Sequence, residues 1–132
     1  MSNASVLIDT SVWILYLRGE ARAKEPLGKL LLEEQTYTSE IILFEILRGA
    51  KSKKDFGILQ RDFGVLPRIV LSQKVWQSAF SIGFELRKSG INVPTSDTLI
   101  AALALSRNCL LLHEDKHFPL IAERYPLKCM TL

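Results

Sequence analysis

Residues 5–11 read Ser-Val-Leu-Ile-Asp-Thr-Ser, and this stretch joins a short apolar run to three polar residues. A continuous apolar run of this length is typical of a buried β-strand. The Asp-Thr-Ser that follows supplies residues that cap the start of a helix, and the apolar residues 12–17 form that helix, which stops near Gly19. We therefore predict a buried strand that leads directly into a helix, with Asp9 at the carboxyl end of the strand.

The rest of the chain repeats this alternation of strand and helix. Ser39 is a suitable N-cap and Gly49 a suitable end for one helix, and Pro26 fits the first turn of another that extends to Glu34. Further helices are predicted at 51–63, 75–86, 96–107 and 120–124. Further strands are predicted at 36–38, 65–71, 109–112 and 128–132, of which 65–71 contains Pro67 and is predicted to be an edge strand. Apolar strands that alternate with helices predict the α/β class, with a parallel sheet of about five strands and helices on both faces.

The composition is that of an ordinary soluble globular domain. Of the 132 residues, 48% are hydrophobic and 23% are charged, which excludes a disordered chain and fits one domain over residues 1–132. No stretch approaches the roughly 18 consecutive apolar residues of a membrane-spanning helix, and no secretory leader is recognised. The two cysteines, Cys109 and Cys129, do not make a disulfide scaffold. We therefore expect a cytoplasmic protein without a membrane partner.

Four acidic residues are candidates for the chemistry. Asp9 and Asp115 follow two predicted strands, Asp97 lies at the start of a predicted helix, and Glu45 lies within an apolar helix. In parallel α/β sheets, ligands bind at the carboxyl ends of the strands. Carboxylates that converge there repel one another and raise each other's pKa values unless a divalent cation compensates their charge. Ligation by oxygen alone suits Mg²⁺ or Mn²⁺.

Each of these acids also has a purely structural explanation. Asp9 and Asp97 can serve as helix N-caps, Asp115 can serve as a turn residue, and Glu45 can pair with Arg48 one turn later. The sequence leaves both explanations open for any single acid. Their joint placement favours a metal site.

Four sequence blocks carry a resemblance to a known family. They are LIDTSVW at 7–13, EILRG at 45–49, DTLIAA at 97–102 and LLHEDKHF at 111–118. In this order, and over nearly the whole chain, they resemble the PIN-domain ribonucleases, particularly the VapC-like toxins of bacterial and archaeal toxin–antitoxin pairs. The resemblance implies a PIN-like α/β/α sandwich, a homodimer, a cognate antitoxin partner, and endonucleolytic cleavage of single-stranded RNA by water that Mg²⁺ or Mn²⁺ activates.

The resemblance also implies roles for individual residues. Carried over by position, the catalytic and metal-binding acids are Asp9, Glu45, Asp97 and Asp115. Thr10, Ser11 and His113 would support them, and Thr10 or Ser11 would orient Asp9.

This chain departs from the family pattern at three positions. The family often has Asp where this chain has Leu15, Ser or Thr at the position of His113, and Asp at the position of His117. These departures concern the supporting residues and the number of metal ions more than the four acids.

A basic segment follows Glu45. Arg48, Lys51, Lys53 and Lys54 are candidates for contacts with RNA phosphates, which do not depend on base sequence. The alternative is a solvated charged surface without a ligand. The net charge of +3 is too small to decide between the two.

Two other functions fit parts of the sequence. His113-Glu114-x-x-His117 matches the zinc-protease motif, but that motif requires a helix, whereas here it follows an apolar strand-like run and Pro119 comes soon after it. The second alternative is a non-catalytic module on the same fold that binds RNA or a protein. Substitution of Asp9 by Asn distinguishes it from a nuclease, because only a nuclease loses cleavage.

Overall fold

The computed structural model describes residues 5–33 and 35–132. Its strands are β1 (Val6–Ile8), β2 (Thr36–Tyr37), β3 (Leu110–His113) and β4 (Cys129–Thr131). Its helices are α1 (Thr10–Leu17), α2 (Ala21–Leu32), α3 (Glu40–Arg48), α4 (Lys53–Phe63), α5 (Gln73–Lys88), α6 (Thr95–Arg107) and α7 (His117–Ala122). The strands form one parallel sheet in the order β2-β1-β3-β4, flanked by the helices. The predicted α/β class with a parallel sheet is confirmed.

β1 lies inside the sheet, and all three of its residues are buried. Val6 pairs with Thr36 of β2 on one side and with Leu110 of β3 on the other. The backbone N–H of Asp9 donates to the carbonyl of Leu112 at 2.9 Å, so the pairing continues one residue beyond β1. Because the strands are parallel, the carboxyl ends of β1 and β3 lie side by side, where this fold class binds its ligands.

α6 is buried along most of its length. Residues 97–104 are all buried, and the helix packs against α5 while also contacting α3, α7 and β3. A helix that is apolar on every side belongs in the core. Its first turn therefore carries Asp97 at the boundary between the core and the carboxyl edge of the sheet.

The predicted edge strand at 65–71 is wrong. That segment makes a single bridge, between Thr38 and Arg68. The N–H of Thr38 donates to the carbonyl of Pro67 at 3.0 Å, and the N–H of Ile69 donates to the carbonyl of Thr38 at 2.9 Å. Pro67 has no N–H to extend this pairing into a ladder. The described part of the chain therefore has a sheet of four strands.

The start of α2 also differs from the prediction. The helix begins at Ala21, so Pro26 lies inside it rather than in its first turn. Ala23 and Leu27 of this helix are fully buried, and the helix packs against α1. Burial of this apolar surface offsets the helical hydrogen bond that proline cannot make. Glu34, the predicted end of this helix, lies outside the described residues.

Other boundaries differ by smaller amounts. Ser39 and Gly49 delimit α3 as predicted, with the Ser39 side chain accepting a hydrogen bond from the N–H of Ile42. α6 begins at Thr95, slightly earlier than predicted, and α7 covers His117–Ala122 instead of 120–124. Among the residues described, no helix combines the length and the apolar character needed to cross a membrane.

Candidate active site

Asp9 lies at the junction between β1 and α1. It is the N-cap of α1, and its Oδ2 accepts hydrogen bonds from the N–H of Ser11 at 3.0 Å and from the Ser11 hydroxyl at 2.5 Å. Ser11 Oγ also accepts a bond from the N–H of Glu114 at 3.0 Å. One hydroxyl therefore fixes the Asp9 carboxylate and joins the start of α1 to the loop after β3.

Asp97, Asp115 and His117 form a compact group, which we call the Asp-Asp-His cluster. One ligand atom from each residue lies within 4.8 Å of the others. Nδ1 of His117 is 3.1 Å from Oδ2 of Asp97 and 2.7 Å from Oδ1 of Asp115. Asp115 Oδ1 also accepts the backbone N–H of His117 at 2.9 Å. This last bond holds the carboxylate of Asp115 against the first turn of α7.

Glu45 reaches the same region from α3. Its Oε1 accepts a hydrogen bond from the hydroxyl of Thr10 at 2.6 Å, which joins α3 to the first residue of α1. The alternative pairing of Glu45 with Arg48 is not among the ion pairs of the described residues. The carboxylate of Glu45 is thus held at Thr10, close enough for its charge to act on Asp9.

The pKa values of Asp9, Asp97 and Asp115 are shifted by burial and by neighbouring groups. Burial raises the pKa of Asp9, and the charges of Glu45 and Asp115 raise it further. Burial, followed by the charges of Asp115 and Asp9, raises the pKa of Asp97 to about 7. Burial also opposes ionisation of Asp115, but hydrogen bonds and charge from His117 outweigh it and hold the pKa of Asp115 below its usual range. Full ionisation of this group is unfavourable without a compensating positive charge.

His113 lies beside the cluster without joining it. The side chain is buried at the end of β3 and its ring packs against Phe118, with 5.1 Å between ring centroids. Nδ1 accepts the backbone N–H of Asp115 at 3.1 Å, and burial lowers the pKa of the ring. His113 therefore supports the loop that carries Asp115.

The zinc-protease motif does not have the geometry that it requires. His113 ends β3, Glu114 and Asp115 lie in the following loop, and His117 begins α7. Glu114 accepts hydrogen bonds from the N–H of Leu132 at 2.9 Å and from Arg22 at 3.1 Å. Because the motif works only when both histidines lie on one face of a helix, this interpretation is wrong.

The residues of the site fit a divalent cation. The Asp-Asp-His cluster offers two carboxylates and one imidazole. Asp9 lies close enough for its charge to act on Asp97, and Glu45 lies close enough for its charge to act on Asp9. Carboxylate oxygens are the preferred ligands of Mg²⁺ and Mn²⁺, and imidazole adds affinity for transition metals. A cation there would favour the ionised form of Asp97, which burial and then the charges of Asp115 and Asp9 oppose. Among the described residues, this is the one group that meets such a ligand spacing.

The basic segment lies at the end of α3 and the start of α4. Arg48, Lys51, Lys53 and Lys54 are all exposed, and no ion pair within residues 5–33 and 35–132 engages them. The backbone N–H of Lys51 donates to Asp55 at 3.1 Å, which holds the turn between the helices. The four cationic side chains are therefore open to solvent and available to a ligand.

The sequence pattern alone does not place His117 in the site. By sequence, this residue is half of the zinc-protease motif and a departure from the family pattern. The spacing Asp115-x-His117 at the end of a predicted strand is a local signal that could have suggested a shared ligand. The contact with Asp97 depends on how α6 and α7 pack, and no local pattern predicts it.

Comparison with known proteins identifies the family. The PIN domain model matches residues 6–124. VapC ribonuclease Mb1587 of Mycobacterium bovis is 35% identical over 123 residues, which are 89% of this chain and 91% of that protein. Ribonuclease VapC19 of Mycobacterium tuberculosis is 28% identical over 122 residues, or 91% of this chain and 97% of that protein.

Solved structures share the fold. The DNA-bound VapBC of Salmonella typhimurium aligns with a TM-score of 0.79 and 21% identity, covering 97% of this chain and 98% of that chain. VapBC2 of Rickettsia felis, bound to a DNA fragment from its promoter, aligns with a TM-score of 0.77 and 23% identity over 96% and 98% of the two chains. Since the family model spans most of the chain and a relative at 35% identity covers 89% of it, the chain belongs to the PIN domain family and resembles its VapC members.

Proposed function

We propose that this protein is a metal-dependent endoribonuclease and the toxin of a toxin–antitoxin pair. The observation that carries the proposal is the Asp-Asp-His cluster, whose ligand atoms lie within 4.8 Å of one another. The names of the relatives support the reaction, since VapC11 and VapC19 of Mycobacterium tuberculosis are both called ribonucleases. The whole chain, residues 1–132, would be one nuclease domain.

Asp97 and Asp115 would hold the cation, and Asp9 and Glu45 would complete the negative site around it. When bound, Mg²⁺ or Mn²⁺ lowers the pKa of water and stabilises negative charge on phosphate oxygens. The chain's own residues provide the orientation. Ser11 fixes the carboxylate of Asp9, and Thr10 fixes that of Glu45.

We further propose that the exposed basic residues bind the backbone of single-stranded RNA. Arg48 ends the helix that carries Glu45, and Lys51, Lys53 and Lys54 follow it directly. Cationic side chains in this position would attract phosphates toward the acids and offset the repulsion between RNA and the carboxylates. This contribution is independent of base sequence, so it does not select the RNA that is cleaved.

Two protein partners are proposed as well, in a cytoplasmic setting. The first is an antitoxin, because several structural relatives are toxin–antitoxin complexes, including one from Klebsiella pneumoniae.

The second proposed partner is another copy of this chain. Trp76, Phe80 and Phe84 are exposed along one side of α5 at intervals of four residues. A regular apolar row on one helix is self-complementary when two copies meet across a two-fold axis.

Cleavage of labelled single-stranded RNA tests the central proposal. Protein treated with chelator should be inactive, and Mg²⁺ or Mn²⁺ should restore cleavage. The Asp9→Asn variant should bind RNA but not cleave it, since Asn retains an oxygen that caps α1 and removes the charge. Asp62→Asn is a matched control, because Asp62 is exposed on α4 and pairs only with Arg61 among the described residues.

The possible outcomes separate the candidate functions. Loss of cleavage in Asp9→Asn with full activity in Asp62→Asn supports the nuclease. Cleavage that persists in chelator would contradict metal dependence. RNA binding by the wild-type protein without cleavage in any metal would favour the non-catalytic module.

A further inference from the structure

His117 occupies an unusual position between two carboxylates. Its Nδ1 is 3.1 Å from Oδ2 of Asp97 and 2.7 Å from Oδ1 of Asp115. The backbone N–H of the same residue donates to Asp115, so the ring is held at the first turn of α7. The same ring nitrogen therefore faces both acids.

One hydrogen atom on Nδ1 cannot make a linear hydrogen bond to two carboxylates at once. A cation that is shared by all three groups satisfies both acids. In an octahedral shell with ligands about 2.1 Å from the ion, neighbouring ligand atoms lie about 3 Å apart. The two distances from Nδ1 match that spacing, and all three ligand atoms lie within 4.8 Å of one another.

A nitrogen ligand changes which metal the site prefers. Mg²⁺ strongly favours oxygen, whereas imidazole binds Mn²⁺ and the later divalent metals more readily. An imidazole also adds no negative charge next to Asp97, where the carboxylates already repel one another. An aspartate at position 117 would instead favour Mg²⁺ and would add negative charge next to Asp97.

We propose that His117 is a direct metal ligand through Nδ1 and that it gives this site a preference for Mn²⁺ over Mg²⁺. The inference rests on the proposed function as a metal-dependent nuclease and specifies its cofactor. It assigns to this chain a mixed nitrogen and oxygen ligand set in place of an all-carboxylate set.

Electron spin resonance of Mn²⁺ bound to the tag-free protein tests the coordination directly. The chain has two histidines, so imidazole coupling to Mn²⁺ can come only from His113 or His117. We expect nitrogen modulation that changes when the protein is labelled with ¹⁵N-histidine. It should disappear in His117→Asp, whereas coupling that came from His113 would persist in that variant, and circular dichroism should verify that the variant folds.

Calorimetric titration measures the consequence for selectivity. The wild-type protein should bind Mn²⁺ more tightly than Mg²⁺, and the ratio of the two Kd values should fall by roughly tenfold or more in His117→Asp. The Asp62→Asn variant, which changes an exposed residue of α4, should keep the wild-type ratio. This readout is independent of RNA cleavage.

Three results would overturn the inference. Mn²⁺ binding without histidine coupling would make His117 a positioning residue that hydrogen-bonds to Asp115, and the proposed nuclease would stand. An unchanged ratio of the Kd values for Mn²⁺ and Mg²⁺ in His117→Asp would show that His117 does not set the metal preference. Failure of the wild-type protein to bind Mn²⁺ at millimolar concentration would overturn the inference, and cleavage in chelator would then show whether a nuclease remains.

Discussion

The hydroxyl of Thr10 donates to Oε1 of Glu45 at 2.6 Å and joins two residues that are 35 positions apart in the chain. Thr10 is the first residue of α1, directly after Asp9, and Glu45 lies within α3. This bond fixes the direction of a carboxylate on one helix relative to a carboxylate at the start of another. The geometry of the acidic site therefore depends on it.

Removal of this hydroxyl should loosen the site more than the fold. In Thr10→Val, we expect metal affinity to fall roughly 10- to 100-fold, as for other residues that orient metal ligands. The free energy of unfolding should fall by only about 1 kcal/mol, the usual value of one hydrogen bond. Titration calorimetry and urea denaturation measure the two effects. Thr10→Ser retains the hydroxyl and should behave like the wild-type protein, and an equal loss of affinity in both variants would contradict this role.

The stability of the metal-free protein should depend on pH through Asp97. Its pKa rises from 3.8 to about 7 on folding, mainly because of burial and then because of Asp115 and Asp9. The associated stability is fully present below about pH 4 and is lost as the pH rises through about 7. Asp97→Asn imitates the protonated carboxyl, so this variant should be more stable than the wild-type protein at pH 8 in chelator, but not at pH 4.

Urea denaturation at both pH values measures this difference. Asp9 and Asp115 also contribute to the pH dependence of the free energy of unfolding of the wild-type protein. The effect of Asp97 is therefore measured as the difference between the variant and the wild-type protein at each pH. A variant that is less stable than the wild-type protein at pH 8 would show that ionised Asp97 does not destabilise the folded state. Addition of Mn²⁺ at pH 8 should reverse the order, because the variant lacks the ligand.

Metal binding should raise the melting temperature. A ligand that binds only the folded state at about 100 times its Kd stabilises it by about 2.7 kcal/mol. For a domain of this length, the shift in Tm should be several degrees. Asp115→Asn should abolish the shift and Asp62→Asn should preserve it, as measured by calorimetry with and without Mn²⁺. The same shift in both variants would indicate a metal bound elsewhere.

The basic segment should contribute to RNA affinity in a salt-dependent way. The double variant Lys53→Gln, Lys54→Gln should weaken RNA binding, and the slope of log affinity against log salt should fall by about 0.7 for each lost phosphate contact with single-stranded RNA. Lys24→Gln, Lys29→Gln removes the same charge from exposed positions of α2 and serves as the control. Fluorescence anisotropy at several salt concentrations measures both. Equal effects of the two pairs would favour a solvated surface in the basic segment.

The exposed row on α5 should affect the oligomeric state. Phe80 and Phe84 are 59% and 64% exposed, which is a large apolar area for a free surface. Phe80→Ser, Phe84→Ser should convert a dimer to a monomer in sedimentation equilibrium. Leu32→Ser changes an apolar residue that is 86% exposed on a different helix, and it should leave the mass unchanged. A wild-type protein that sediments as a monomer would contradict the proposed homodimer.

Local patterns were sufficient where a residue and its structural partner are close in sequence. The apolar run 6–8 followed by Asp9 predicted both β1 and the cap of α1, because burial and capping act within a few residues. The same holds for Ser39 at the start of α3. The prediction at Pro26 was wrong because packing of Ala23 and Leu27 extended the helix past a residue that is locally unfavourable.

Apart from the segment 65–71, the sequence by itself determined the order of strands and helices along the chain and which acids follow the strands, because these depend on apolar periodicity and on residue types. Only the tertiary structure decided what those side chains contact. Glu45 accepts a hydrogen bond from Thr10 instead of pairing with Arg48. His117 contacts Asp97 although β3 lies between their two helices in the chain. Such contacts depend on the packing of α3, α6 and α7 around the sheet. The direction of each side chain follows from that packing, and no short stretch of sequence contains it.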